Sequence, residues 1–184
     1  GLDSILSSLA IKNTIRYTDN PAEFPTDIHI VSVGSPVDSK GKPILKSVKL
    51  VAEMISKILK PEDMVIFRST LPIGTMRNIV LPILERSGLK GGIDFGFAFA
   101  PERTIEGKAL DELRSLPQIV AGINKASTNQ TGAIFSQITK TIVEVESIEG
   151  AELVKLINNT FRDLVFSFSN EVASICDEYN LNAF

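Results

Sequence analysis

The sequence predicts an α/β fold, a mostly parallel sheet covered on both faces and followed by one long helix. Three observations predict it. Short apolar runs alternate with longer segments of helical period. Three of those runs end in turns or loops, at Gly34-Ser35-Pro36, Ser69-Thr70-Leu71-Pro72 and Pro101 to Gly107. Finally, Ser147 to Asn180 keeps Leu153, Leu156, Ile157, Phe161, Leu164, Val165, Phe168, Val172 and Ile175 at helical spacing, with no proline and no glycine after Gly150.

Taken in order, Gly1 to Asn13 reads as the end of a helix with Leu2, Ile5, Leu6 and Leu9 on one face. It has no cap before it, so the chain is expected to begin inside a larger unit. Thr14 to Thr18 reads as a short strand, Asp19 to Glu23 as a helical turn, and Ile28 to Val33 as a buried strand. An apolar strand ending in a Gly/Pro turn and followed by a helix, here Ile44 to Leu59, is the repeating unit of a parallel sheet. The unit recurs as strand Met64 to Arg68, a turn over Ser69 to Gly74, and helix Thr75 to Arg86. Strand Phe95 to Ala100, strand Gln118 to Gly122, helix Ala126 to Lys140 and strand Thr141 to Val145 lead into the long helix.

Composition narrows the function classes. A net charge of -3 with scattered Lys and Arg argues against a nucleic-acid footprint. No apolar run approaches a membrane span, and the N-terminus lacks the charged-then-apolar pattern of a signal peptide. One cysteine, Cys176, makes no internal disulfide, and a reducing, cytoplasmic setting fits best. His29 is the sole histidine and has no Cys, Asp or His at ligand spacing, so it reads as structural and no metal site is expected.

Ligands of parallel α/β sheets bind at the carboxyl ends of the strands. Gly34-Ser35-Pro36, Ser69 to Pro72 and Pro101 to Gly107 all fall there, and the last adds two carboxylates and an arginine that a turn does not need. On the long helix, Lys155, Asn159 and Arg162 stand at i, i+4 and i+7, within about 60° of one another on a helical wheel. The stripe continues through Phe166, Ser169 and Ala173, which are small or apolar. A polar trio in such a belt predicts a buried or cleft-facing site rather than a solvated face.

At these residues the chain resembles the nucleotide-sugar 6-dehydrogenases, which include UDP-glucose and UDP-N-acetylmannosamine dehydrogenases. The resemblance is carried by Val33-Gly34-Ser35-Pro36, by Ser69 to Thr75, and by Pro101-Glu102-Arg103 with Glu106-Gly107. It continues through Glu152-x-x-Lys155-x-x-x-Asn159-x-x-Arg162 and Asn170-Glu171, in the family's order along nearly the whole chain. It implies a partial Rossmann-like NAD-binding domain over 1–146 and, over 147–184, the start of a central helical domain that supports a homodimer. It also implies an NAD-dependent, two-step oxidation of a UDP-sugar C6 alcohol to a carboxylate, through an aldehyde and a cysteine thioester.

Carried over by residue, Lys155 would stabilise the alkoxide or oxyanion, Asn159 would hold it or a water, Glu102 would activate water, and Thr70 would position water beside the nicotinamide. Ser35, Pro36, Ser69, Thr70, Leu71 and Glu106 would line NAD. Glu102, Arg103, Thr104, Lys155, Asn159 and Arg162 would touch the substrate. Pro101-Glu102-Arg103 and the Arg162-Asp163 pair resemble the branch acting on 2-acetamido sugars, UDP-N-acetylmannosamine or UDP-N-acetylglucosamine, rather than the UDP-glucose branch, and of the two the mannosamine substrate is favoured. Neither the family's GxGxxG turn nor its downstream nucleophilic cysteine is in the sequence, and mid-helix Cys176 does not replace the latter, so the chain alone is expected to be inactive.

Two other readings compete. In the wider β-hydroxyacid dehydrogenases a helix also carries Gly, Lys and Asn at the spacing of Gly150, Lys155 and Asn159, but Ser69 to Thr75 and Pro101 to Gly107 set this chain apart. Alternatively, the chain is a non-catalytic assembly module whose Phe161, Leu164, Phe168 and Val172 form a contact stripe.

Overall fold

A computed structural model of the chain describes residues 15–105 and 107–183, together with Ser7. Apart from Ser7, the helix expected over Gly1 to Asn13 lies outside the described residues, as do Thr14, the first residue of the strand expected over Thr14 to Thr18, and the cofactor residue expected at Glu106. Among the described residues five strands form one sheet: β1 (Ile28–Val31), β2 (Met64–Phe67), β3 (Gly96–Phe99), β4 (Gln118–Gly122) and β5 (Ile142–Glu144). They lie in chain order. β1, β2 and β3 run parallel, β4 turns antiparallel to β3, and β5 runs parallel to β4.

The two central strands are apolar on both faces because both faces are covered. Val65 and Phe67 of β2, with Phe97 and Phe99 of β3, enter the larger core. It also holds Val48, Ala52 and Ile55 of helix α1 (Lys46–Ser56) and Ile148 and Ala151 of the long helix. The alternate residues Met64, Ile66, Ala98 and Ala100 face the smaller core with Val120 and with Phe135 of α4 (Lys125–Phe135). At about 25 cal/mol per Å2, full burial of each large side chain contributes about 1.5–3 kcal/mol. A polar substitution at Phe67 or Phe97 would therefore break the layer.

Between β2 and β3 the chain opens as a π-helical turn (Met76–Val80), continues as α2 (Leu81–Leu84) and ends as a 3-10 turn (Glu85–Ser87). Pro82 explains the wide turn. It has no N–H to give to the carbonyl four residues back, and the Leu81 N–H bonds to Met76 instead. Gly74 enters that turn at φ 82°, where a Cβ would meet the Asn78 side chain at 2.7 Å. A short helix α3 (Ala109–Ser115) precedes β4. The long helix α5 (Ile148–Glu178) is started by Ser147, whose hydroxyl accepts from the Gly150 N–H.

Two expectations need correction. Residues 15–18 form no strand, since among the described residues no strand pairs with them. The strand expected to be buried over Ile28 to Val33 is shorter and, among the described residues, lies at the sheet edge, with Ile28 45% and Ile30 50% exposed. The long helix and the βα order stand as read, and the α/β class with a mostly parallel sheet holds.

Candidate functional site

The carboxyl ends of β1 and β2 open into a cleft of about 530 Å3, lined by Ser32 to Pro36, Arg68, Ser69, Thr70, Glu102 and Lys155. A volume of that size suits a small ligand or one end of a dinucleotide. Two hydroxyls join the segments that form its wall. Ser69 Oγ donates to the Val33 carbonyl at 2.6 Å, and Ser35 Oγ donates to the Thr70 carbonyl. Of the residues expected to line a cofactor, Ser35, Pro36, Ser69 and Thr70 stand in the wall. Leu71 does not, because its side chain is fully buried in the larger core; it can offer a ligand only its backbone.

Glu102 forms the floor. Its backbone N–H donates to the Arg68 carbonyl at 3.1 Å, which continues the β2–β3 pairing one step beyond the strands. Its carboxylate accepts from the Arg103 and Thr104 N–H groups at 2.7 and 2.8 Å on one oxygen, and from Arg68 at 2.5 Å on the other. Burial alone would push the Glu102 carboxyl up. The Thr104 amide and the Arg68 charge outweigh it, so the group lies below the ordinary carboxylate value and is ionised at neutral pH. As it stands, Glu102 is a fixed acceptor rather than a strong base.

Lys155 comes in from α5. It is 8% exposed, and its ammonium donates to the Glu102 carbonyl. Burial lowers its proton affinity, Glu102 raises it, and Arg162, Arg103 and Arg68 lower it further, for a net decrease. An ammonium has three donors, so the one spent on Glu102 leaves others for a developing anion. One and two turns on, Asn159 and Arg162 are half-buried, and Arg162 donates to Asn159 Oδ1 at 3.1 Å. With its carbonyl engaged, Asn159 presents its amide N–H groups as the free donors.

The polar trio is thus brought to one side of α5, with Lys155 in the cleft. Arg103 is held differently: its Nε donates to Asn158 Oδ1 at 2.8 Å and one terminal nitrogen to the Pro117 carbonyl at 3.1 Å. Thr104 lies beside it, where its N–H supports Glu102. His29 bonds Asp63 and Thr26 away from the cleft. Among the described residues no group of three or more His, Cys, Asp or Glu side chains could hold a metal ion.

Three supporting residues escaped the sequence reading of roles. Arg68 is 7% exposed and stacks on the Phe135 ring at 4.6 Å while it holds Glu102. Asn158 holds Arg103. Glu152, fully buried on α5 one turn before Lys155, accepts from the Gly74 and Met76 N–H groups at 2.6 and 2.9 Å. It ties the helix bearing the lysine to the turn that follows Ser69 and Thr70. The signal available for Glu152 was its place in the Glu152-x-x-Lys155 spacing, which puts both on one face of a helix.

Comparison with known proteins gives the chain's relatives. The Staphylococcus aureus protein CapL is 31% identical over 176 residues, covering 94% of this chain and 42% of CapL. A GDP-mannose 6-dehydrogenase of Pseudomonas putida is 31% identical over 182 residues, covering 95% of this chain and 41% of the enzyme. The solved structure of a UDP-D-ManNAc dehydrogenase from Pyrococcus horikoshii superposes with a TM-score of 0.87 at 28% identity, over 97% of this chain and 43% of that one. The chain therefore spans less than half the length of these relatives. Residues 1–143 match the NAD-binding domain of one family, and residues 149–184 match the same family's central domain. With its cleft at the strand ends and its lysine on the following helix, the chain belongs to the UDP-glucose/GDP-mannose dehydrogenase family.

Proposed function

We propose that the chain is the part of an NAD-dependent nucleotide-sugar 6-dehydrogenase that receives the nicotinamide end of the cofactor and the sugar C6. The preferred substrate is UDP-N-acetyl-D-mannosamine, with UDP-glucose as the alternative. One observation carries the reading: a buried ammonium, Lys155, shares a cleft with the neutral segments Ser32 to Pro36 and Ser69-Thr70 and with the Arg68–Glu102 ion pair. The neutral segments fit a nicotinamide and its ribose, and the Lys155 cation fits an alcohol oxygen losing its proton. On this reading 1–146 is the cofactor part and 147–184 opens the central helical part.

Ser35, Pro36, Ser69 and Thr70 would hold the nicotinamide end of NAD, which would supply the hydride acceptor for C6. Lys155 offsets the charge that develops on the C6 oxygen, and the Asn159 amide donates to the same oxygen or to a water. Both are fixed before reaction, Lys155 by Glu102 and Asn159 by Arg162, which is the condition under which such donors favour a transition state over a ground state. Thr70 holds a water at the wall, and Glu102 accepts from a water at the floor. Arg103, Thr104 and Arg162 contact the sugar and its acetamido group, and the fixed Arg103 together with Arg162 supports the 2-acetamido substrate. Cys176, 21 residues along α5 from Lys155, stands about 31 Å from it. It cannot serve as the thioester nucleophile in this cleft.

The test is NADH formation. The 184-residue chain is expected to give none with UDP-N-acetylmannosamine or UDP-glucose. A longer polypeptide that supplies a cysteine and a dinucleotide-binding turn should form NADH with the former in preference. Steady turnover by the chain alone would refute this assignment of parts.

A further role in assembly is favoured by α5. Phe161, Leu164 and Phe168 are each at least 65% exposed, with Val172 beside them. We assign this stripe to a homodimer contact, which would bury it.

A further inference from the structure

The Arg68 side chain has a more confined setting than an ordinary surface ion pair requires. Its backbone is locked at the end of β2, with its N–H on the Val31 carbonyl at 2.8 Å and its carbonyl taken by the Glu102 N–H. Its guanidinium lies on the ring of Phe135, itself 4% exposed at the end of α4, and its edge meets Glu102 Oε2. A planar cation with one face on an aromatic ring and one edge on a carboxylate has little freedom left. Other charged groups also bear on Glu102. Arg103 lies in the same segment, and Lys155 from α5 takes the Glu102 carbonyl, with Arg162 acting on Lys155 from further along that helix.

Two cations thus hold Glu102 from opposite ends, Lys155 by its backbone and Arg68 by its carboxylate. We propose that Arg68 is a positioning residue: seated on Phe135, it fixes the Glu102 side chain on the cleft floor as an acceptor, so that Glu102 takes up a proton only when this ion pair opens. Water activation would then require an event that parts Arg68 from Glu102, such as entry of a substrate anion that draws the guanidinium away. This consequence rests on the proposed dehydrogenase role of Glu102; the effect of Arg68 on Glu102 does not.

The experiment is a carboxyl-carbon NMR titration of Glu102 in the protein and in two variants. Arg68→Met removes the charge but keeps an apolar chain over Phe135, and the Glu102 midpoint should move up. Arg68→Lys restores the charge, and the midpoint should return most of the way to the parent value. An unmoved midpoint in a folded Arg68→Met, with parent-like Arg103 and Thr104 amide signals, would overturn the proposal, because the two amides alone would then hold the carboxylate. Should Arg68→Met not fold, Phe135→Leu leaves the charge but takes away the ring; an upward move supports the proposal and an unmoved midpoint overturns it. If the dehydrogenase reading fails instead, the longer polypeptide gives no NADH while the Glu102 midpoint still answers to Arg68.

Discussion

Replacing Glu152 tests the joint between α5 and the cofactor wall. In Glu152→Ala the Gly74 and Met76 N–H groups lose their acceptor in a site closed to solvent. Each stranded buried donor costs about 1–3 kcal/mol. Removal of a desolvated carboxylate offsets part of that, because burial is the largest influence on Glu152 and, with Glu149, pushes its pKa above the usual carboxylate value against the pull of the two amides and Arg77. The expected net loss is about 2–4 kcal/mol, or about 4–16 °C in melting temperature for a chain of this size. Glu152→Gln keeps one acceptor and turns an NH2 toward the other amide, so it should lose about 1–3 kcal/mol.

The pH dependence fixes the sign of the Glu152 contribution. A carboxyl raised in the folded state contributes stability that is fully present below its unfolded value of 4.5 and is lost as pH rises through the folded value. The gap between parent and Glu152→Gln should therefore be widest in acid and narrow toward neutrality. Glu102 runs the opposite way but is present in both proteins and cancels in the difference. Urea unfolding across pH reads both quantities. A loss under about 0.5 kcal/mol for Glu152→Ala, within the range of ordinary surface substitutions, would mean that Glu152 does not hold α5 to the turn at Gly74 and Met76.

Three further outcomes follow from the same geometry. In the longer enzyme Lys155→Ala should lower kcat by about 100- to 1000-fold, the usual effect of deleting one fixed oxyanion donor; in the chain itself it should leave stability unchanged or higher, since an ammonium that burial disfavours is removed, and steady-state kinetics beside thermal melts check both. Asn158→Ala frees one end of the Arg103 fork, so KM for the nucleotide sugar should rise while the melting temperature moves by only a few degrees, as expected for loss of one part-buried hydrogen bond of about 1 kcal/mol. Phe161→Glu or Leu164→Glu places a charge on the exposed stripe of α5 and should convert a self-associating chain to monomer in sedimentation; a parent that is already monomeric at tens of micromolar, the range of ordinary weak dimers, would contradict the assembly role.

The parts of the fold that were legible in the sequence are those in which neighbours along the chain carry the signal. β2, β3 and α5 declare themselves by apolar runs and helical spacing, because both faces of the strands and the start of the helix are packed. The exposure of Ile28 and Ile30 was not legible: an apolar run looks the same in a central strand and in one at the edge. The antiparallel turn of β4 is a property of pairing that no local pattern encodes. Helix α3 was missed because it is short and buries no residue, which leaves no periodic stripe to read.

The site divides along the same line. Lys155, Asn159 and Glu102 stood out by residue type and spacing, and the structure brings Lys155 against Glu102 across 53 residues. The supports did not stand out, because their meaning lies in distant partners. Glu152 holds amides 76 and 78 residues away, and Arg68 meets Glu102 34 residues on. Leu71 shows the converse. It directly follows Thr70, which lines the cleft, yet its own side chain is packed in the larger core, a distinction that its place in the motif does not carry.

An amide NMR titration of the protein with UDP-N-acetylmannosamine, up to roughly 1 mM to reach weak sites, tests most directly whether this cleft takes a nucleotide sugar. Shifts should concentrate at Arg103, Thr104 and from Lys155 to Arg162, including the Asn159 side-chain amide, and should be lost in Lys155→Ala. No shifts at those residues, or shifts gathered instead around Gly92, Asn124 and Gln130 at another cavity of the molecule, would contradict the assignment of this cleft to a nucleotide sugar.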